Sequence, residues 1–390
     1  MYQLGSKVNL VICQKSKVGD WIEHLTLYYE FDFKMIYDCT KWKKNDWEAF
    51  AENPNEPCIM VINYDLAWRR KELLKLNNFS LILDESSLIQ NETAKRSKFI
   101  LKLKPDNVIL LSGTPTGGKY EKLWSQMNLL GWNIPKKMFY DHYIDYYWDD
   151  SEGFPRMVIT GYKNEERLKK KMRDHGCHFL KTDEVFDLPD QIHQTIKVDV
   201  TNEYKKFRKN LVVEFKYNDE NIELIGDNSL TERLYKRQLC GQYNQGKLEA
   251  FSNLLESTDD RVIVFYNFYE ELDLLTHACG LLEREISIVN GKVKDLYAYE
   301  NISNSVTFIQ YQAGAMGLNL QKANKIIYFT PTEWSELFEQ SKKRVHRIGQ
   351  DKPCFYYYLT CKNSIEEAIY ETLAMRKDYT DALYQQQRGI

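Results

Sequence analysis

Nowhere in the 390 residues is there a run of about 18 apolar side chains, so the sequence offers no membrane-spanning helix. No charged-then-apolar leader follows Met1, and the closing Gln387 to Ile390 carries no lipidation signal; the expectation is a cytoplasmic protein of a bacterium or a virus-infected host cell. Glycine (18) and proline (9) are too sparse for a collagen-like or linker-dominated chain, and no internal repeat or low-complexity tract is visible. A CxxC pair is missing too. The eight cysteines (Cys13, Cys39, Cys58, Cys177, Cys240, Cys279, Cys354, Cys361) are scattered, several inside apolar runs, and read as buried thiols. The tightest metal-like grouping, His175 to His178, has no second ligand pair and reads as a loop. Charge of one sign is also lacking: 53 Lys and Arg against 56 Asp and Glu give −3, which excludes a chain coated in basic surface but not a local stripe meeting phosphates.

What remains is an ordinary globular composition, 43% hydrophobic and 28% charged, at a length that argues for two domains. Short aliphatic and β-branched runs recur at 9–13, 58–63, 81–84 and 108–112, and again at 262–266, 286–290, 306–311, 325–329 and 355–359. Nearly continuous apolar strands alternating with segments of helical period signify parallel sheets covered on both faces. The expected fold class is therefore α/β, with strands in two groups and a helical, Lys-, Tyr- and Asp-rich connection between about Gly131 and Gly246. Asp187 to Asp190, with its Pro189, reads as extended linker. The domain expectation is an N-terminal lobe with a helical extension over 1–185, a linker and helical segment over 186–245, and a C-terminal lobe over 246–390.

Asp84 and Glu85 directly follow the run Leu81 to Leu83, which puts two carboxylates at the C-terminal end of a buried strand, where open α/β sheets bind ligands. Such a pair suits a magnesium-holding aspartate beside a water-activating glutamate. After the next strand, Ser112 to Pro115 form a hydroxyl-rich turn able to bond across to the pair. Further on, Gly314, Gly317 and Asn319 follow another strand end, and Gln340, Arg344 and Arg347 fall at i, i+4 and i+7, predicting one shared helix face. Arginines there can clamp phosphate and stabilise charge developing in phosphoryl transfer.

These segments, in this order, resemble the Swi/Snf-type DNA-dependent ATPases of helicase superfamily two. Val11 to Ser16 looks like motif Ia, Asp84 to Ser87 like motif II, Ser112 to Pro115 like motif III, Val262 to Phe268 like motif IV, Gly314 to Leu320 like motif V and Gln340 to Gln350 like motif VI. Phe179 to Pro189 looks like the lobe-joining segment. The resemblance implies two RecA-like lobes that bind ATP and Mg2+ and grip the DNA backbone with little sequence readout. By the same resemblance Asp84 would hold Mg2+, Glu85 would orient the attacking water, and Arg344 and Arg347 would act as arginine fingers. Gly314, Gly317, Asn319 and Gln340 would serve the nucleotide, and Lys15, Ser16, Tyr64, Ser112 and Thr114 would contact the DNA strand.

The family's phosphate-binding Gly-Lys-Thr or Gly-Lys-Ser loop belongs upstream of motif Ia, where this sequence has only Met1 to Lys7. The nearest internal match, Gly113 to Lys119, coincides with motif III and places Tyr120 where a short hydroxyl side chain is needed. The expectation is a sequence that starts inside a longer motor. Ser86 and Ser87, Gln14 and Ala315 also depart from the family's motifs without removing a charge-bearing position. The leading expectation is an ATP-driven DNA translocase or helicase of compact viral or bacterial type; the alternative is a DNA-binding or regulatory remnant of one. The aromatic cluster Tyr140 to Trp148 is expected to pack between helix and lobe, with base stacking as the alternative, and Lys169 to Arg173 to form a solvated helix face or a phosphate contact.

Overall fold

The computed structural model describes residues 5–28, 35–54, 56–113, 115–116, 118–150, 153–179, 187–314 and 318–385, with the backbone alone for 314 and 377–385. The chain divides into two units, Met1–Phe179 with Tyr379–Ile390, and Leu180–Asp378.

The first unit is built on five strands: β1 (Val8–Cys13), β2 (Ile36–Asp38), β3 (Cys58–Asn63), β4 (Phe79–Asp84) and β5 (Asn107–Leu111). They lie in the order β2-β3-β1-β4-β5 and every neighbouring pair is parallel. All six residues of β1 are buried because it is the central strand, covered on both faces. Val8, Leu10 and Ile12 feed one core layer, Val11 and Cys13 the opposite one, as the two-residue period of a strand requires. Each such aliphatic side chain removed from water contributes about 1.5–3 kcal/mol. The register brings the strand ends level: Cys13 faces Asn63, and Asp84 faces Leu111. Whatever follows β1, β3, β4 and β5 therefore emerges along one edge.

Beyond β5 the chain makes a further layer with its own core, around Tyr120, Leu123, Met127, Phe139, Tyr143, Leu168 and Met172. It contains the helices Lys136–Tyr143 and Glu165–Asp174 and, where helical connection was expected, an antiparallel ribbon of β6 (Ile144–Asp149) and β7 (Arg156–Tyr162).

The second unit carries β8 (Gln191–Val198), β9 (Val212–Tyr217), β10 (Glu220–Ile225), β11 (Val262–Tyr266), β12 (Ile286–Val289), β13 (Lys294–Asp295), β14 (Val306–Gln310), β15 (Lys325–Tyr328) and β16 (Cys354–Cys361). Seven of them form one sheet in the order β13-β12-β14-β11-β15-β16-β8, parallel except for the short β13. The sheet is packed on both faces. Residues 187–245 are more than the linker and helix expected of them. After residues 187–190, which belong to no helix or strand, β8 pairs with β16 over eight residues, β9 and β10 form a hairpin, and the helices Asn202–Asn210 and Ser229–Cys240 pack on that hairpin. The alternation is weak in β8 because it is an edge strand with six exposed residues, so no continuous apolar run marks it.

Among the described residues no helix is long and apolar enough to cross a membrane.

Candidate active site

In the first unit, β4 delivers Asp84 as its last residue, and the backbone turns sharply at Glu85, which adopts φ 58° and ψ 59°. A side chain in this left-handed region costs about 1 kcal/mol or more, so neighbouring bonds must hold it there. They do. Ser87 Oγ and Ser112 Oγ both donate to Glu85 Oε1, at 2.8 and 3.0 Å. Ser112 follows β5, the strand beside β4, so the hydroxyl turn bonds across to the acidic pair as its composition suggests. A second tie runs through Pro115, whose carbonyl accepts from Gln126 Nε2 at 2.7 Å and Gln90 Nε2 at 3.2 Å, while Ser86 Oγ donates to Gln126 Oε1 at 2.9 Å.

Asp84 is held from two directions. Trp21, on the helix Val18–Tyr28, donates its indole N–H to Asp84 Oδ2 at 2.9 Å, and Tyr64 OH donates to the Asp84 carbonyl at 3.0 Å and the Glu85 carbonyl at 3.4 Å. Both carboxylates remain half-exposed. Mg2+ takes one or two protein carboxylates and completes its shell with water and phosphate. A half-exposed aspartate at a strand end with one oxygen steadied by an indole fits that requirement.

Two neighbours are tuned to stay neutral. Burial, then the charges of Asp84 and Glu85, raise the Tyr64 phenol far above its ordinary range, so it remains a donor. Burial, then Asp84, pushes the Cys13 thiol up to about 12, which leaves it an unreactive packing group at the end of β1.

Of the residues assigned to a DNA strand, Lys15 and Ser16 are exposed on the turn Lys15–Lys17 after β1, and Ser112 is half-exposed. Tyr64 requires correction: it is 3% exposed, its hydroxyl is spent on the backbone of the acidic pair, and its part is to position that turn. Thr114 lies outside the described residues. The phosphate-loop alternative at Gly113 to Lys119 also fits poorly, since Tyr120 is fully buried with its hydroxyl toward Glu165 Oε2 at 3.2 Å, and the turn Tyr120–Leu123 separates it from the six-residue helix Trp124–Leu129. Trp21 was missed altogether. Its only signal is an indole on an otherwise amphipathic helix, 63 positions from its partner.

In the second unit the shared helix face proves to be a turn. The helix Ser335–Lys342 carries Gln340, half-buried, but stops before Arg344 and Arg347. Ser341 Oγ donates to the Phe338 carbonyl at 2.6 Å, and the Arg344 carbonyl, which a continuing helix would use for itself, accepts from Leu320 N at 3.1 Å. Gln350 Nε2 donates to the carbonyls of Gln321 and Ala323 at 3.2 and 2.8 Å, and Gly349 takes φ 93°. The turn is thereby clipped to 320–323. That clip brings Arg347 Nη1 to Asn319 Oδ1 at 2.5 Å, joining two sequence-predicted residues. Gly314 ends the short helix Tyr311–Gly314 after β14, and Gly317 lies outside the described residues. His346 bonds the Pro189 carbonyl through Nε2 at 2.8 Å and Gln191 Nε2 through Nδ1 at 3.2 Å, anchoring the turn to the start of β8.

Elsewhere the second unit buries charge. Lys247 and Glu366, both essentially inaccessible, form an ion pair, and Glu366 Oε2 also accepts from Cys361 N at 2.9 Å. The donor atoms of Cys240, Cys361 and Glu366 lie within 4.8 Å of one another, but the Lys247 ammonium already supplies the positive charge there. Glu271, fully buried, accepts from Asn267 N, Phe268 N and Thr330 Oγ1 at 2.9, 3.1 and 3.0 Å through Oε2, while Oε1 has no hydrogen-bond partner among the described residues. Burial raises its carboxyl to about 7, opposed by the two backbone N–H groups.

Residues 3–246 match the SNF2-related domain, and residues 246–349 match the helicase conserved C-terminal domain. The chain is similar to mouse "SWI/SNF-related matrix-associated actin-dependent regulator of chromatin subfamily A member 1", 23% identical over 98% of this chain and 39% of that protein. It is also similar to Arabidopsis thaliana "ATP-dependent DNA helicase DDM1" (22%, covering 92% and 53%) and to human "Chromodomain-helicase-DNA-binding protein 1" (24%, covering 80% and 20%). The chain thus spans between about a fifth and a half of the length of these relatives. Among solved structures, the C-terminal part of the Fun30 ATPase domain aligns with a TM-score of 0.39 at 16% identity, covering 52% of this chain and 99% of that one.

Proposed function

The chain belongs to the SNF2-related family, and from that premise we propose that it is the motor portion of an ATP-driven DNA translocase. The observation that carries the proposal is the Asp84 and Glu85 pair at a parallel strand end, with Ser112 of the neighbouring strand end bonded to Glu85. That bond links a carboxylate suited to water activation with a turn that follows the adjacent strand, so a shift of either reaches the other. ATP is the substrate, and Mg2+ would screen the phosphate charge at Asp84. Asp84, steadied by Trp21, holds the metal side of the site; Glu85, fixed by two hydroxyls, orients the water and withdraws its proton. Arg347, positioned by Asn319, and Arg344 stabilise the charge that develops on the transferred phosphoryl group. Lys15 and Ser16, exposed after β1 on the same sheet edge, meet the DNA backbone.

The test is nucleotide turnover of the full-length native protein with and without duplex DNA. Stimulation by DNA that disappears in Glu85→Gln, while nucleotide binding persists, is the expected result. Turnover indifferent to DNA, or undiminished in Glu85→Gln, would sink the assignment.

A further inference from the structure

The β6 and β7 ribbon has no part in the chemistry above, and its two ends differ. At the base Ile144 is fully buried and Tyr146, Ile159 and Tyr162 pack on the layer's core. At the far end Tyr147, Trp148 and Phe154 are 52%, 63% and 84% exposed. Trp148 pairs with Met157 and Tyr147 with Val158, so apolar side chains line both faces of the outer ribbon. Directly after β7, the helix Glu165–Asp174 turns Leu168 and Met172 inward and leaves Arg167, Lys170 and Arg173 exposed. One small core thus carries an aromatic tip at the far end of its ribbon and, on the helix that follows the ribbon's base, three exposed cations interspersed with exposed Glu166 and Asp174.

Proteins that hold single strands without sequence preference combine these two features, a cationic track for the backbone and aromatic faces on which bases stack. Charge at the tip fixes which part of a strand goes where. Arg156 neutralises Asp149 through bonds of 3.0 and 3.2 Å, and Asp150 beside them repels phosphate. Bases, not phosphates, suit the tip, and the phosphates fall to the helix. We propose that this layer is a single-strand binding element: Tyr147, Trp148 and Phe154 stack on unpaired bases while Arg167, Lys170 and Arg173 hold the phosphates of the same strand. The proposal rests on the DNA-motor reading and assigns it a preference for forks or gaps over intact duplex.

The experiment measures, by fluorescence anisotropy in the full-length protein without nucleotide, affinity for a labelled oligo-dT and for a labelled duplex hairpin. The Trp148→Ala/Phe154→Ala double variant is expected to weaken oligo-dT binding ~10-fold or more and leave the duplex affinity unchanged. Both residues are exposed, so an unaltered Tm serves as the folding control. Arg167→Ala/Lys170→Ala should flatten the salt dependence of oligo-dT binding, by about 0.7 in the log–log slope for each phosphate that is no longer neutralised. Unchanged oligo-dT binding in the aromatic variant, or an equal loss on both probes, overturns the stacking role; the first result would leave the surface to a protein partner. A parent protein that binds neither probe removes the DNA-motor reading itself.

Discussion

The two units keep their charges in opposite places. In the first, Asp84 and Glu85 stand half-exposed at the sheet edge, each oriented by neutral donors: an indole, two serine hydroxyls and a phenol on the backbone. In the second, Lys247 and Glu366 lie inside as an ion pair, whereas the arginines with an expected chemical role sit on the turn after the helix Ser335–Lys342. A charge that must act on a ligand cannot be neutralised by its own protein, so it is steadied by groups without charge. A charge that serves the scaffold is buried with a countercharge, since leaving it alone there is costly.

The comparison can be broken first at the arginines. Arg347→Ala is expected to lower DNA-stimulated turnover ~10³-fold with little loss of thermal stability, measured by coupled phosphate release and calorimetry on the same sample. A large fall in Tm instead would make Arg347 part of the scaffold. Glu85→Gln should follow, with a loss of ~10²-fold or more in kcat and an unchanged melting curve. On the interior side the signs invert. Glu366→Ala strands the Lys247 ammonium and should lower stability by about 3–5 kcal/mol in denaturant melts, whereas the Glu366→Met/Lys247→Met pair should recover most of it. A single variant no less stable than the parent would show that the buried pair is dispensable.

The smallest effect is a pH dependence. Glu271 holds its proton up to about pH 7 when folded but only to the ordinary carboxyl range when unfolded. Between roughly pH 4.5 and 7 the folded state therefore binds more protons than the unfolded one. This group makes stability fall by roughly 3 kcal/mol as pH rises through that window and adds no further change above it. Glu271→Gln keeps the oxygen that accepts three bonds and should flatten the window in urea melts at pH 5 and pH 8. The same slope in parent and variant would place the titration elsewhere.

The sequence was most readable where burial is symmetrical. Strands covered on both faces, such as β1 and β11, announce themselves as unbroken apolar runs. The acidic pair and its serine partner were visible because they sit at the ends of such strands. Where burial is one-sided or absent the pattern fades. The ribbons β6 with β7 and β9 with β10 mix aromatic and charged residues, and β8 is an edge. Tertiary choices were invisible altogether: Trp21 finding Asp84, Tyr64 turning inward, and the Arg344 carbonyl, beyond the helix end at Lys342, accepting from Leu320 N. Each of these is a contact between distant positions that no local periodicity encodes.

The pairing of β8 with β16 also constrains how the second unit comes into being. His193 meets its partner Tyr358 only 165 positions later, and Lys247 must await Glu366 for 119. At a synthesis rate of about 5–20 residues per second, β8 waits roughly 8–33 seconds without its strand partner. Because β16 lies between β15 and β8, β8 has no neighbour in the sheet until β16 arrives, so a nascent chain halted before Cys354 would leave the edge of β15 open for another chain to join.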